Sequence, residues 1–149
     1  MSSGATHDKI TIVAGIAIAI TAYYFLGWYI ATIVTSAFLF SGFAFNGDLD
    51  IYSDPYKRWC IIRYIWIPYR RFGHRSFWTH GFLAGTIVRL LWIAPLILVG
   101  TYASGVWFLV PAFIVSHWQE CMWAVAGLEA GSMSHTWADM TSSTWKKMF

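Results

Sequence analysis

A 149-residue chain that is 58% hydrophobic and 11% charged departs from the about 45–50% apolar and about 25% charged make-up of soluble domains, which points to an integral membrane protein and away from a water-soluble globule. That length accommodates about four apolar crossings of about 20 residues with short connections, and leaves no room for a separate soluble domain. The net charge of +3 is modest, and the basic residues are interleaved with membrane-seeking aromatics, which argues against nucleic acid as a partner.

Met1 to Lys9 lacks the positively charged start and cleavage site of a signal peptide, so the N-terminus is expected to be retained. From Ile10 to Phe45 the chain is uncharged, and its about 36 residues would make a helical rod of about 54 Å, longer than a hydrocarbon core of about 30 Å. The run must fold back once, and Gly27 is the natural turn. This gives spans at about residues 10–26 and 28–45, short enough to require tilt or a thinned bilayer, with Tyr23, Tyr24, Trp28 and Tyr29 as an interfacial belt. Residues 46–76 then carry Asp48, Asp50 and Asp54, followed by Lys57, Arg58, Arg63, Arg70, Arg71 and Arg75 among Trp and Tyr. That mixture predicts a loop lying at headgroup level. Further spans are expected at about residues 77–99 and 106–128, and residues 129–149 read as a polar tail with a short helix. The predicted fold is a single all-α polytopic membrane domain.

All Lys and Arg residues except Arg89 fall in the N-terminus, the 46–76 loop or the tail. A four-span chain puts those segments on one side, which the positive-inside rule makes cytoplasmic, with both termini there. Cys60 and Cys121 lie far apart without the spacing of a zinc knuckle, and read as small buried hydrophobes.

The candidate site residues converge on that same side. His7 precedes the first span, Asp48 and Asp50 end the second, His74 and His80 open the third, and His117 and Glu120 lie in the cytoplasmic half of the fourth. His135 and Asp139, four apart, share one helical face. His74 and His80 would lie about 120° apart on one continuous helix, so they can share an ion only if the helix begins after His74, near Ser76 or Phe77. Mixed imidazole and carboxylate ligands suit a borderline divalent cation such as zinc. Each element also has a plainer explanation. A lone interfacial His can contact headgroups, the aspartates can cap an apolar segment, Arg89 can pair internally with Glu120, and Lys146 and Lys147 can anchor at the membrane surface.

The runs Ser3 to Thr11, Gly47 to Ser53, Tyr56 to Trp59, Ile65 to Arg71, His74 to Ser76 and Ser134 to Asp139 resemble an uncharacterised metal-binding membrane protein family common in cyanobacteria. More distantly, the DxD followed by HR-x-x-x-TH is similar to the YdjM-like, LexA-regulated membrane-bound metal-dependent hydrolases, and through them to zinc-dependent phospholipase C and P1-type nucleases. The resemblance implies His7, Asp48 or Asp50, His74, His80, His135 and Asp139 as metal ligands. His117 matches no family motif and stands on its position alone. Ile51 departs from the pattern, because the hydrolases often carry a further His directly after the DxD.

Two functions follow as expectations. A cytoplasm-facing divalent centre could hydrolyse a phosphoester of a lipid or lipid-linked substrate in a plasma or thylakoid membrane, with Arg75 and the basic loop holding the phosphate and Asp50 or Glu120 as general base. Alternatively, the metal staples the termini and the loop onto the bundle of a non-catalytic subunit or assembly factor of a larger membrane complex. Haem or chlorophyll ligation by His80 and His117 ranks below both, since it leaves the other candidates without a role.

Overall fold

The first helix, α1 (Gly4–Ala44), departs from helical geometry at Gly27, where φ 78° and ψ 168° suit a residue without a Cβ. The computed structural model describes residues 4–74 and 76–148, with side chains as far as Ala138. It turns the chain back on itself at this glycine, since Gly15 lies against Leu39 and Gly42 against Thr11. The expected hairpin with its turn at Gly27 is therefore present, and Tyr23, Tyr24 and Trp28 are exposed around its tip.

Residues 46–72, expected as part of a loop, are built of short helical turns. They form 3-10 turns at Gly47–Asp50, Cys60–Trp66 and Pro68–Phe72, with a short helix α2 (Asp54–Arg58) between the first two. Ser53 caps α2 by accepting from Tyr56 N, and Pro55 occupies the first turn, where its missing N–H costs nothing. The resulting cap has a core of its own, made by Phe45, Leu49, Tyr56, Trp66 and Tyr69. Several of its cations are engaged. Arg58 donates to Asp8 at 2.6 Å and to the Phe43 carbonyl at 2.7 Å, tying the cap to both arms of the hairpin. Arg70 stacks 4.6 Å over the Tyr56 ring.

The structure shifts the bounds of the next expected span and breaks the one after it. The segment expected at about residues 77–99 is a single turn, α3 (Phe77–His80), separated by Gly81 to Leu83 from α4 (Ala84–Ala103). Leu83 sits at φ 57°, a conformation that stops α3 from running into α4. The segment expected at about residues 106–128 is likewise two helices, α5 (Leu109–Ser116) and α6 (Trp118–Met148), which part at His117 with φ −120° and ψ 34°. Residues predicted as a separate tail simply continue α6. The physical reason lies in packing: Gly127 and Gly131 set α6 directly against the Val34 and Phe38 carbonyls of α1. Small residues four apart permit this close backbone approach, and tertiary contact rather than composition sustains the helix.

Among the described residues, two stretches are long and apolar enough to cross a membrane, Gly4–Asp50 and Ala84–Ala103, so four crossings are not supported. Only 17% of the apolar window in each is buried, unlike the core helix of a soluble protein. Ile16, Ile20, Phe25, Leu91, Leu98 and Val99 face outward. Arg89 is fully buried, and the ion pair with Glu120 that offered its plainer explanation is not what holds it. It donates to the Thr79 carbonyl, Thr86 Oγ1 and Ser132 Oγ at 2.8–2.9 Å, linking α3, α4 and α6 beneath the cap.

Candidate metal centre

Asp48 and Asp50 sit on the 3-10 turn that follows the hairpin. Asn46 fixes the start of this turn: its side chain accepts from Asp48 N at 3.1 Å and donates to the Gly42 carbonyl at 3.0 Å. At about three residues per turn, positions two apart point about 120° away from each other. The two carboxylates consequently serve different neighbours. Asp48 meets His135 and His80, whereas Asp50 Oδ1 lies 2.9 Å from His74 Nδ1.

His74 lies before helix α3, as a shared site requires, because Gly73 at φ 78° and Ser76 in extended geometry hold off the helix until Phe77. The His74 and His80 rings approach edge to face with centroids 5.3 Å apart. One ligand atom each from Asp48, His74 and His80 lies within 4.8 Å of the other two.

Thr79, fully buried, sets the orientation of His80. Its hydroxyl has the Gly73 and Ser76 carbonyls at 3.2 and 3.3 Å as acceptors, and lies 2.9 Å from His80 Nδ1. A hydroxyl that donates to a carbonyl must accept from the ring, which places the proton of neutral His80 on Nδ1 and leaves Nε2 as a lone pair. That lone pair faces Asp48 Oδ1 at 3.4 Å, and neither atom has a hydrogen-bond partner although both are buried. Two acceptors facing each other in a buried site call for a cation or proton between them.

The other Asp48 oxygen, Oδ2, is 2.9 Å from His135 Nε2. His135 reaches this position because it continues the α6 stripe of Gly127 and Gly131, one turn further along. His7, on the buried α1 face with Thr11 and Gly15, stacks on the His135 ring at 4.1 Å. A cavity of about 240 Å³ opens beside this pair, lined by Asp48, His7 and His135 together with Asp8, Asp54 and Lys57.

The structure thus brings together His7, Asp48, Asp50, His74, His80 and His135. It leaves His117 within its own turn, where the ring stacks on Phe113 at 4.5 Å and Nδ1 lies 2.8 Å from Ser116 Oγ. Glu120 stands fifteen residues before His135 on α6, about 22 Å along the axis. Arg75 and the Asp139 side chain lie outside the described residues. Sequence reasoning missed Thr79, Asn46, Gly47 and the glycine stripe. Gly47 matters because an added Cβ would lie 2.6 Å from His80 Nε2. The spacing Gly-x-x-x-Gly at residues 127–131 was the readable signal for a close helix contact.

Comparison with known families matches residues 2–149 to a family described as Uncharacterized metal-binding protein (DUF2227). No characterised protein and no solved structure gives a significant match.

Proposed function

Since the chain belongs to this metal-binding family, we propose that it is a membrane-embedded protein holding a divalent ion, zinc, and hydrolysing a phosphoester of a lipid or lipid-linked substrate at the cytoplasmic surface. The observation that carries the metal is the buried, unpartnered pair His80 Nε2 and Asp48 Oδ1. Their separation of 3.4 Å matches the edge of a tetrahedron whose ligands stand about 2.1 Å from the ion. The third ligand is His74, which gives Nδ1 to Asp50 and so keeps Nε2 for the metal. Oxygen and imidazole donors in this ratio suit zinc.

Each ligand has a neighbour that orients it: Asp50 for His74, Thr79 for His80 and His135 for Asp48. Outer partners of this kind fix the ring tautomer and raise ligand basicity. When bound, the ion supplies Lewis acidity and a water of lowered pKa. Three protein ligands leave a position open, as in catalytic rather than structural zinc sites, and the His74 side chain is 30% exposed, so solvent reaches that edge. Asp50, whose Oδ2 has no partner, is the proposed base. Arg75, adjacent to His74, is the proposed phosphate holder, and Lys57 offers a second cation in the neighbouring cavity. The hydrolase reading is further supported by the DxD and HR-x-x-x-TH pattern. The cytoplasmic assignment rests on the cations gathered in the cap.

A second reading, a metal-stapled subunit of a larger membrane complex, is favoured by one feature. The stack of His7 on His135 ties both ends of the chain to the ligand cluster. Elemental mass spectrometry of detergent-purified wild type, His80→Ala and Asp48→Ala tests the site. Near-stoichiometric zinc is expected in the wild type and its loss in both variants, and a wild type without metal refutes the centre. A phosphoester screen with and without chelator tests turnover, which must vanish on chelation.

A further inference from the structure

We propose that a groove on the far side of α6 from the glycine stripe binds a single-chain lipid alcohol, with the head hydroxyl donating to Glu129. The groove encloses about 830 Å³ between α6, α5 and the α3–α4 connection, with an almost wholly apolar lining. This falls within the range of about 300–1,000 Å³ typical of small-ligand pockets. Residues two apart on a helix point about 200° away from each other. With Gly127 and Gly131 turned onto α1, Glu129 therefore faces away from it and into the groove.

Glu129 is the polar exception in this wall. It is only 6% exposed, its Oε1 accepts from Leu83 N at 3.0 Å, and its Oε2 has no hydrogen-bond partner. A buried carboxylate oxygen without a donor is costly unless something arrives to supply one. The apolar neighbours are Phe82, Leu83, Trp118 and Met122, all exposed. A contiguous exposed apolar surface of this kind marks a contact site, and here it continues the outward apolar faces of α4 and α5, where acyl chains would lie. The occupant must therefore offer an apolar chain and a hydrogen-bond donor. An anionic head would be repelled by the carboxylate, whereas a neutral hydroxyl satisfies it. Leu83, held at φ 57° by the same carboxylate, ties the groove wall to the residue that completes the site.

Cys121 lines the groove and Cys60 is exposed elsewhere, so the chain carries its own reporter. The experiment measures alkylation of Cys121 by N-ethylmaleimide in Cys60→Ser protein held in phosphatidylcholine nanodiscs. The added lipid is 1-monooleoylglycerol, or methyl oleate, which has the same chain and no donor. Monooleoylglycerol should protect Cys121 with an apparent Kd at least about tenfold lower, the factor a hydrogen bond to a charged acceptor is worth. Glu129→Gln keeps an acceptor for Leu83 N but presents an N–H to the groove, which either lipid's ester carbonyl can accept, and should abolish the preference for monooleoylglycerol. Equal protection by both lipids, protection by neither, or a Gln variant that still prefers monooleoylglycerol overturns the proposal. No metal is required in the assay, so its failure leaves the hydrolase reading untouched.

Discussion

Replacing Thr79 by Val removes one hydroxyl from a side chain with no solvent exposure and leaves its volume nearly unchanged. The lost contacts are the 2.9 Å bond to His80 Nδ1 and those to the Gly73 and Ser76 carbonyls at 3.2 and 3.3 Å. Without the acceptor, nothing selects the tautomer that points a bare Nε2 at Asp48. Loss of such an orienting partner lowers metal affinity by about 10- to 100-fold, or about 1.4–2.7 kcal/mol. The same change costs fold stability about 1–3 kcal/mol through unsatisfied buried groups. The two effects separate in the assay: zinc affinity by competition with a chromophoric chelator, and thermal unfolding of the metal-free protein. Thr79→Ser, which keeps the hydroxyl, should retain affinity close to wild type and lose only about 0.8 kcal/mol of packing. A Val variant that binds zinc as tightly as wild type would refute the tautomer argument, and so would a Ser variant as weak as Val.

Gly47→Ala drives a methyl to 2.6 Å from His80 Nε2, so the ring must leave Asp48. Zinc affinity should drop by more than about tenfold with little change in the melting of metal-free protein, and unaltered zinc titration would count against His80 as a ligand. Gly131→Ala drives a Cβ into the Phe38 carbonyl and should cost about 1–3 kcal/mol by forcing α6 off α1. Because His135 rides on the same face, metal affinity should fall with it, and a variant with wild-type melting would contradict the close helix contact. Arg75→Ala should leave metal content unchanged while lowering kcat/KM for the phosphoester by about 10²–10³, the scale of one transition-state charge contact. Unchanged turnover would move the phosphate-holding role elsewhere.

The hairpin at Gly27 was legible because an uncharged run of that length cannot cross a bilayer once, and only glycine adopts its φ and ψ. His7, Asp48, His74, His80 and His135 do lie together, but the four-span topology from which their common side was argued is not supported. The split roles of Asp48 and Asp50 were not legible, since they depend on the 3-10 turn that Asn46 initiates. The cap hid its own core because Trp and Tyr mixed with Arg read the same whether they pack on Trp66 or lie among headgroups. Continuity of α6 was masked by its polar second half, and only the contact of Gly131 with Phe38 explains why the helix persists. Arg89 was obscured for a related reason: Glu120 on the neighbouring expected span offered an ion pair, but a carbonyl on α3 and hydroxyls on α4 and α6 take its hydrogen bonds instead.

Whether the centre closes around its ion or stays open is decided by competition for the fourth position. Structural zinc sites take four protein ligands. Among the described residues, the nearest additional donors are His135 and Asp50. His135 Nε2 already meets Asp48 Oδ2, and Asp50 Oδ1 already meets His74 Nδ1. Recruiting either as a direct ligand breaks the bond that aims an existing one, replacing a coordination bond's gain with the loss of an orienting contact. The arrangement therefore favours three inner ligands and two carboxylate–imidazole braces over a closed tetrahedron. On the proposed reading, solvent would reach the ion at the partly exposed His74 side chain, which Arg75 follows in the sequence. That is where the proposed hydrolase would take a water or a phosphoryl oxygen, a use that the stapled reading has no need of.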